Sequence, residues 1–198
     1  MKYKKMIISI VCVCFFNCSF GQFNVFIKNF KKCSLPFVIK DATFDIYQAE
    51  DDVYAISEID FAKYLMMKND TFINLKEFSA PTGYHKYIAV GKFDLYDNLL
   101  SVLYYRYIIN EKGNHIQELM LCVFTKKGEL ISTYPVSGYY TAEKKIFFST
   151  IFSEEDIEIS FYKLEISEDR FGISYLISEN VIEKRNLYIT KEGIIQQK

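Results

Sequence analysis

Tyrosines are the side chains of this sequence whose type and grouping best suit chemistry, and that chemistry is binding. Of the sixteen tyrosines in the chain, Tyr134, Tyr139 and Tyr140 lie around Pro135 and Gly138 in what reads as a long loop. A tyrosine ring provides contact area at little rotamer cost, and its hydroxyl provides direction. We therefore predict a contact surface for a protein or a glycan at Tyr134, Tyr139 and Tyr140. The alternative is that these rings are half-buried sheet residues.

The groups that usually carry catalysis are sparse. The two histidines, His85 and His115, have no second ligand-type residue at the spacing of a zinc motif. The sequence contains no Gly-x-Ser-x-Gly elbow, no glycine-rich phosphate loop and no dinucleotide fingerprint. The sequence therefore predicts no catalytic residue and no cofactor, and it favours a protein that is not an enzyme.

The carboxylates leave one enzymatic alternative open. Acidic runs at residues 50–52 and 154–156 lack the alternate spacing and the glycine of a calcium loop, so no metal site is predicted. Asp94 and Asp97 flank an expected turn, and a pair of this kind serves glycosidases. Turns also recruit Asp for bonds to their own backbone. A hydrolase that uses such unpaired carboxylates is the alternative to a binding module.

The N-terminal residues have the pattern of a secretory signal peptide. Lysines at positions 2, 4 and 5 precede an apolar run over residues 6–16, and Ser19 and Gly21 are small residues suited to cleavage after Gly21. An apolar run of eleven residues is shorter than the 20 or so that span a membrane, so the run favours a cleaved signal over a retained anchor. No transmembrane span is expected after cleavage. We predict an exported protein, periplasmic or secreted. Lipid anchoring at Cys18 to the cell envelope is the alternative.

The expected mature chain, residues 22–198, reads as one β-rich domain. Removal of residues 1–21 takes away three lysines and no acids, so the formal net charge changes from −1 to −4. The remaining basic residues occur singly or in pairs, with no stripe that would follow a phosphate backbone. Nucleic acid is therefore not an expected partner.

Two cysteines remain after cleavage, Cys33 and Cys122. In an oxidising compartment they would be able to form one disulfide. Cys122 lies in an apolar run, where a cysteine also serves as a small buried hydrophobe. The sequence favours two thiols and leaves the Cys33–Cys122 disulfide as the alternative.

The residues above depend on an antiparallel meander that starts near Tyr84. Apolar, tyrosine-rich runs of seven to eleven residues are closed by Asn, Asp and Gly, as strands and tight turns require. The run 99–109 is apolar in both phases and is expected to be covered on both faces. The apolar phase changes at Phe161 and Tyr162, which predicts a β-bulge.

One short helix is expected near residues 58–67, where Ser57 is a candidate N-cap and Ile59, Ala62, Leu65 and Met66 follow a helical spacing. Residues 23–30 are expected to form a short strand or an amphipathic turn. The fold class is therefore mainly β, a meander that forms a curled sheet, a sandwich or a half-open barrel. An exported binding or interaction module is the function that this sequence favours.

Overall fold

A computed structural model describes residues 21–39, 55–66, 84–109, 115–140, 144–169 and 172–198. Strands account for 65% of the structure, which confirms the expected mainly β class. The described strands are β1 (Lys31–Lys32), β2 (Phe37–Val38), β3 (Tyr84–Leu95), β4 (Leu99–Ile109), β5 (His115–Thr125), β6 (Leu130–Tyr140), β7 (Lys145–Ser153), β8 (Asp156–Asp169), β9 (Gly172–Ile189) and β10 (Ile195–Gln197). Helix α1 covers residues 21–28, and α2 covers Glu58–Asp60 and continues as a π-helical turn over Phe61–Leu65.

All ten strands belong to one sheet in the order β1-β3-β4-β5-β6-β7-β8-β9-β10, and β2 pairs with β7. From β3 to β10 each strand runs antiparallel to the next, which confirms the predicted meander. The predicted bulge is also confirmed, because the register between β8 and β9 shifts at Phe161 and Tyr162.

The sheet curls because β6 leaves β7 after three residues. Only Gly138–Tyr140 pairs with Lys145–Phe147, and β2 takes the place beside the second half of β7. The far end of the sheet then returns toward β6, where the Ser132 hydroxyl donates to the carbonyl of Gly193 at 2.6 Å. The sheet curls on itself without closing.

The inner face of the curl holds the larger apolar core. Its fully buried side chains come from strands β3 to β9 and from Ile39, which follows β2; they include Leu95, Leu103, Leu121, Val123, Val136, Phe147, Ile151, Ile157, Ile159, Phe161 and Leu187. Side chains that alternate along each strand supply this face, so the two-residue period of the sequence gives the core its members.

The outer face of β3–β5 carries a second core, because α1 and α2 cover it. Phe23, Phe26, Phe30, Phe61, Tyr64 and Leu65 pack on Tyr87, Ala89, Val102, Tyr104, Met120, Cys122 and Phe124. Strand β4 therefore has an apolar core on each face, as its two apolar phases predicted. No helix in the described part of the chain is long and apolar enough to cross a membrane.

The two helical segments differ from expectation in instructive ways. Ser57 caps α2 as predicted, since its hydroxyl accepts from the amide of Asp60 at 3.1 Å. The expected apolar stripe was right for Leu65 and wrong for its other members: Ala62 is exposed, and Ile59 and Met66 are 78% and 46% exposed. Phe61 and Tyr64 are buried in their place. The buried residues Phe61, Tyr64 and Leu65 have the three- and four-residue spacing of one helical face, which is not the face that the stripe predicted. The turn that carries them is π-helical and is closed by the bond from Met66 N to Phe61 O.

Residues 23–30, expected as a strand or turn, belong to α1 and the turn that follows it. Phe23, Phe26, Ile27 and Phe30 are all buried, at the three- and four-residue spacing of one helical face. The Lys92 ammonium donates to the carbonyl of Ile27 at 2.7 Å, near the carbonyl end of the helix.

Candidate functional site

The segment expected as a tyrosine-bearing loop is a strand. β6 continues through Tyr140, so the loop prediction was wrong for residues 135–140, and residues 141–143 lie outside the described part. Pro135 pairs with Met120, and the register shifts there before Leu119 pairs with Ser137. A bulge accommodates a proline in a sheet, because the missing amide is not needed in the ladder.

The three predicted tyrosines lie in three different settings. Tyr139 and Tyr140 are half-buried on opposite faces of β6, as neighbours on a strand must be. Tyr139 packs on Ile146, whereas the Tyr140 hydroxyl donates to Glu118 Oε1. The Tyr134 hydroxyl accepts from Arg185 Nη1 at 3.2 Å. These rings therefore do not form one continuous surface, and each needs its own interpretation.

Tyr140 belongs to a buried polar group. Arg106 on β4 pairs in register with Glu118 on β5, and the Arg106 Nε bonds Glu118 Oε2. Both side chains are only 1% exposed. Two opposite charges that share hydrogen bonds inside a protein satisfy each other, but they are out of reach of a partner. This group holds β4, β5 and β6 in register.

Tyr87 on β3 lies next to this buried polar group. Tyr87 pairs with Arg106 across β3 and β4, and the Phe61 ring lies parallel over it at 3.8 Å. Burial raises the pKa of Tyr87, and the positive charge of Arg106 partly opposes that rise. His85 Nδ1 lies 3.4 Å from the Tyr87 hydroxyl. A phenol whose pKa is raised stays protonated at neutral pH, so Tyr87 serves here as a packed ring and hydrogen-bonding group.

The outer face of β6–β8 carries the aromatic surface that remains accessible. A row of paired residues crosses four strands, from Tyr139 through Ile146 and Tyr162 to Val181. Phe148 lies edge-on to Tyr162 with ring centroids 5.7 Å apart. Ile146 is buried at the centre, the three rings are half-buried, and Val181 is 40% exposed.

Val38 extends this surface along β7. It pairs with Thr150, which shares the outer side of β7 with Ile146 and Phe148, and it is 50% exposed. We define the aromatic face by these residues: Val38, Tyr139, Ile146, Phe148, Tyr162 and Val181. A pair of exposed charges flanks it, since Lys184 Nζ lies 3.0 Å from Glu158 Oε1.

The inner face of the sheet carries the charged side chains of Lys145, Glu183 and Arg185. Glu183 accepts from Arg185 Nε at 2.5 Å and from Lys145 Nζ at 3.2 Å. Both cations lie over the Phe161 ring, with Lys145 Nζ at 4.3 Å and Arg185 Cζ at 4.7 Å from its centroid. We name these residues, together with Tyr134, the charged cluster.

The side chains of the charged cluster are partly exposed. The side chains of Lys145, Glu183 and Arg185 are 21%, 39% and 26% exposed. The hydrogen bond from Arg185 is the main reason that the pKa of Glu183 is lowered, and the same bond raises the pKa of Arg185. Both shifts favour the charged forms of Glu183 and Arg185 at neutral pH.

The carboxylates that suggested a hydrolase lie in the open. Asp94 is exposed beside Lys32, with 3.9 Å between the charged atoms, and Asp97 is exposed in the turn of residues 96–98. Among the described residues there is no group of three or more His, Cys, Asp or Glu side chains that could hold a metal ion.

The two cysteines of the expected mature chain are not joined to each other. Cys33 is half-buried, and its amide donates to the carbonyl of Lys92 at 2.8 Å. Cys122 is completely buried in the core beneath α1 and α2. Cys18, the proposed site of a lipid anchor, lies outside the described residues.

Sequence reasoning found one member of the aromatic face, Tyr139, and one of the charged cluster, Tyr134. It missed Phe148 and Tyr162, because only the register of β7 and β8 brings them beside Tyr139. A signal for the cluster does exist, since Glu183 and Arg185 share the phase of Leu187 and Ile189 along β9. Two charged residues on the side of a strand that faces the core indicate a candidate site.

No protein-family model matches the chain, and no curated protein or solved structure is significantly similar to it.

Proposed function

We propose that this protein is an exported interaction module that binds a partner protein through the aromatic face. The observation that carries the proposal is the half-buried ring set of Tyr139, Phe148 and Tyr162 around buried Ile146. Rings held in place on a sheet lose little freedom when a partner covers them, which makes them effective contact residues.

The composition of the aromatic face favours a protein over a glycan. Its centre is aliphatic and aromatic, and its flank carries the Lys184–Glu158 pair. Protein interfaces have this anatomy, with aromatic residues and few charges at the core and polar groups at the rim. A glycan site would need several hydrogen-bonding groups, whereas Val38, Ile146, Phe148 and Val181 offer none and only the hydroxyls of Tyr139 and Tyr162 remain.

The other half of the sheet supports the same interpretation. Over β3–β5, rings on the outer face are covered by aromatic residues of α1 and α2. Over β6–β8, no helix of the described residues covers the rings. An apolar element from another protein would bury them in the same way, which is why this face suits a partner.

The N-terminal pattern supports export as part of this proposal. Phe23, the second residue after the predicted cleavage point, is 2% exposed and packs against Phe124 with centroids 5.3 Å apart. Cleavage after Gly21 would therefore keep every buried residue of α1 with the domain.

The test uses the mature chain with a photo-crosslinking residue in place of Thr150, which pairs with Val38 of the aromatic face. Partners cross-linked there are identified, and their affinity is measured for wild type and for the Tyr139→Ala, Phe148→Ala and Tyr162→Ala variants. We expect a loss of about 1 to 4 kcal/mol for the rings at the centre of the interface. Tyr188→Ala is the matched control, because its hydroxyl donates to Gln196 at 2.6 Å near the edge of the sheet.

Three results would count against a protein partner on this face. The first is wild-type affinity in all three ring variants. The second is an equal loss in Tyr188→Ala. The third is a glycan array that gives binding abolished by Tyr162→Ala, which would assign the face to a sugar. A dimer in sedimentation that the same ring variants dissociate would identify the partner as a second copy.

A further inference from the structure

The charged cluster has donor groups that its internal contacts do not use. Arg185 bonds Glu183 through Nε and Tyr134 through Nη1. Its third nitrogen, Nη2, makes no hydrogen bond with the described residues. Lys145 bonds Glu183 with one of its three N–H groups, and the other two make none with described residues. Both side chains are partly exposed, so these donors are accessible to a solute.

Contacts with Phe161, Glu183 and Tyr134 fix the position of these donors. Phe161 lies beneath both cations, and its ring stacks on Phe147 with centroids 5.0 Å apart and an angle of 24°. Glu183 bonds each cation through a different oxygen, which keeps the two cations beside each other. The Tyr134 hydroxyl ties Arg185 on β9 to β6, across the open side of the curl. A solute therefore meets a preorganised pair of cations.

From this geometry we infer that the charged cluster is a binding site for an oxyanion, held between Arg185 Nη2 and Lys145 Nζ. Two cations against one carboxylate leave one positive charge in excess, which an anion neutralises. Arginine and lysine are the residues that bind carboxylate, sulfate and phosphate groups through charge-assisted hydrogen bonds. Phe161 is only 4% exposed, so the site recognises the anionic group itself and offers no ring for stacking.

This site is separate from the aromatic face, and its evidence is independent of the proposed function. Glu183 and Arg185 pair with the inner-core residues Phe161 and Ile159, whereas the aromatic face lies on the opposite side of the same strands. A variant that abolishes partner binding at the aromatic face therefore tests nothing about the oxyanion site. The converse is also true.

The experiment measures binding of sulfate, phosphate and acetate to the mature protein at pH 7. Sodium chloride keeps the ionic strength constant, and the amide and guanidinium signals of Arg185 are followed by NMR. We expect saturable shifts at Arg185 and Lys145, and an affinity at least about tenfold weaker in Arg185→Gln and Lys145→Gln. Comparison of the three anions shows whether a tetrahedral or a planar oxyanion fits better.

Two further variants separate binding from structural damage. Glu183→Gln removes the competing carboxylate and should tighten anion binding several-fold, which a purely structural cluster would not do. Lys184→Gln, the neighbouring residue on the outer face, should bind anions like wild type. The inference is overturned if the shifts do not saturate, if Arg185→Gln keeps wild-type affinity, or if Glu183→Gln weakens binding while remaining folded.

Discussion

Two arginine–glutamate pairs on the same sheet show how burial separates structure from function. Arg106 and Glu118 are each 1% exposed, in the half of the sheet whose outer face α1 and α2 cover. Arg185 and Glu183 are 26% and 39% exposed, in the half whose outer face carries the aromatic face. The residue types are the same in both halves. What differs is access: solvent reaches the pair in the β6–β9 half and not the pair in the covered half, as both binding proposals require.

The largest effect is expected from breaking the buried pair. Arg106→Gln leaves the Glu118 charge buried beside Tyr140, and loss of one partner of such a pair lowers the free energy of unfolding by about 3 to 5 kcal/mol. Arg185→Gln should cost about 1 kcal/mol or less, because water screens an exposed pair. Urea unfolding of the two variants measures the difference.

A double variant separates two effects of Arg106→Gln: the loss of attraction between Arg106 and Glu118, and the burial of the Glu118 charge without its partner. Arg106→Met with Glu118→Leu replaces both charges by apolar side chains, and we expect it to recover much of the stability lost in Arg106→Gln. Equal losses in Arg106→Gln and Arg185→Gln would show that the two halves do not differ in the way their burial indicates.

A smaller effect is expected from the aromatic residues on the two outer faces. Phe26→Ala removes a ring that lies on the buried face of α1 and stacks on Tyr64 at 4.6 Å, so it should lower the free energy of unfolding by about 3 kcal/mol. Phe148→Ala on the aromatic face should cost about 1 kcal/mol, because that ring is half-buried. Denaturant midpoints measured on the mature chain test this order, and a larger loss for Phe148→Ala would reverse it.

The sequence predicted those features that depend on the alternation of side chains along a strand. The meander, the doubly covered β4 and the bulge at Phe161 and Tyr162 follow from a two-residue period of apolar side chains that is present in the sequence itself. The burial of Phe61 was also present in the sequence, because Phe61, Tyr64 and Leu65 have the spacing of one helical face, but the prediction followed the stripe that starts at Ile59. The spacing of Phe23, Phe26 and Phe30 is that of one helical face and indicates α1, although a short strand or an amphipathic turn was predicted there.

The candidate sites were harder to predict than the fold. Tyr139 stood out as one of two adjacent rings, but its partners Phe148 and Tyr162 are brought to it only by strand pairing. The Arg185–Tyr134 contact joins residues that lie 51 positions apart on strands that do not pair. Contacts of this kind depend on how far the sheet curls, and the pattern of apolar residues does not specify that curvature.

Acid should weaken the exposed Glu183–Arg185 pair and lower the free energy of unfolding by a modest amount. The pKa of Glu183 is lowered from the ordinary glutamate value of 4.5, chiefly by the hydrogen bond from Arg185. Its contribution is therefore present above that ordinary value and is lost as pH falls through the lower pKa of the folded protein. Glu183→Gln should remove this part of the acid dependence. Urea midpoints between pH 7 and pH 3 test the prediction, and parallel curves for the two proteins would refute it.

The smallest effect is expected from reduction, because packing rather than a covalent bond holds the covered half together. Cys122 lies completely buried among the residues that α1 and α2 cover, and Cys33 lies beside Gly91 near the edge of the sheet. The structure has no bond between them, so a reducing agent should leave the melting temperature of the mature chain unchanged within error. A thiol titration of the unfolded chain should find two reactive groups. If the titration finds none and reduction lowers the melting temperature, a Cys33–Cys122 disulfide forms in the mature chain, and the stability of the covered half then has a covalent part that its packing does not reveal.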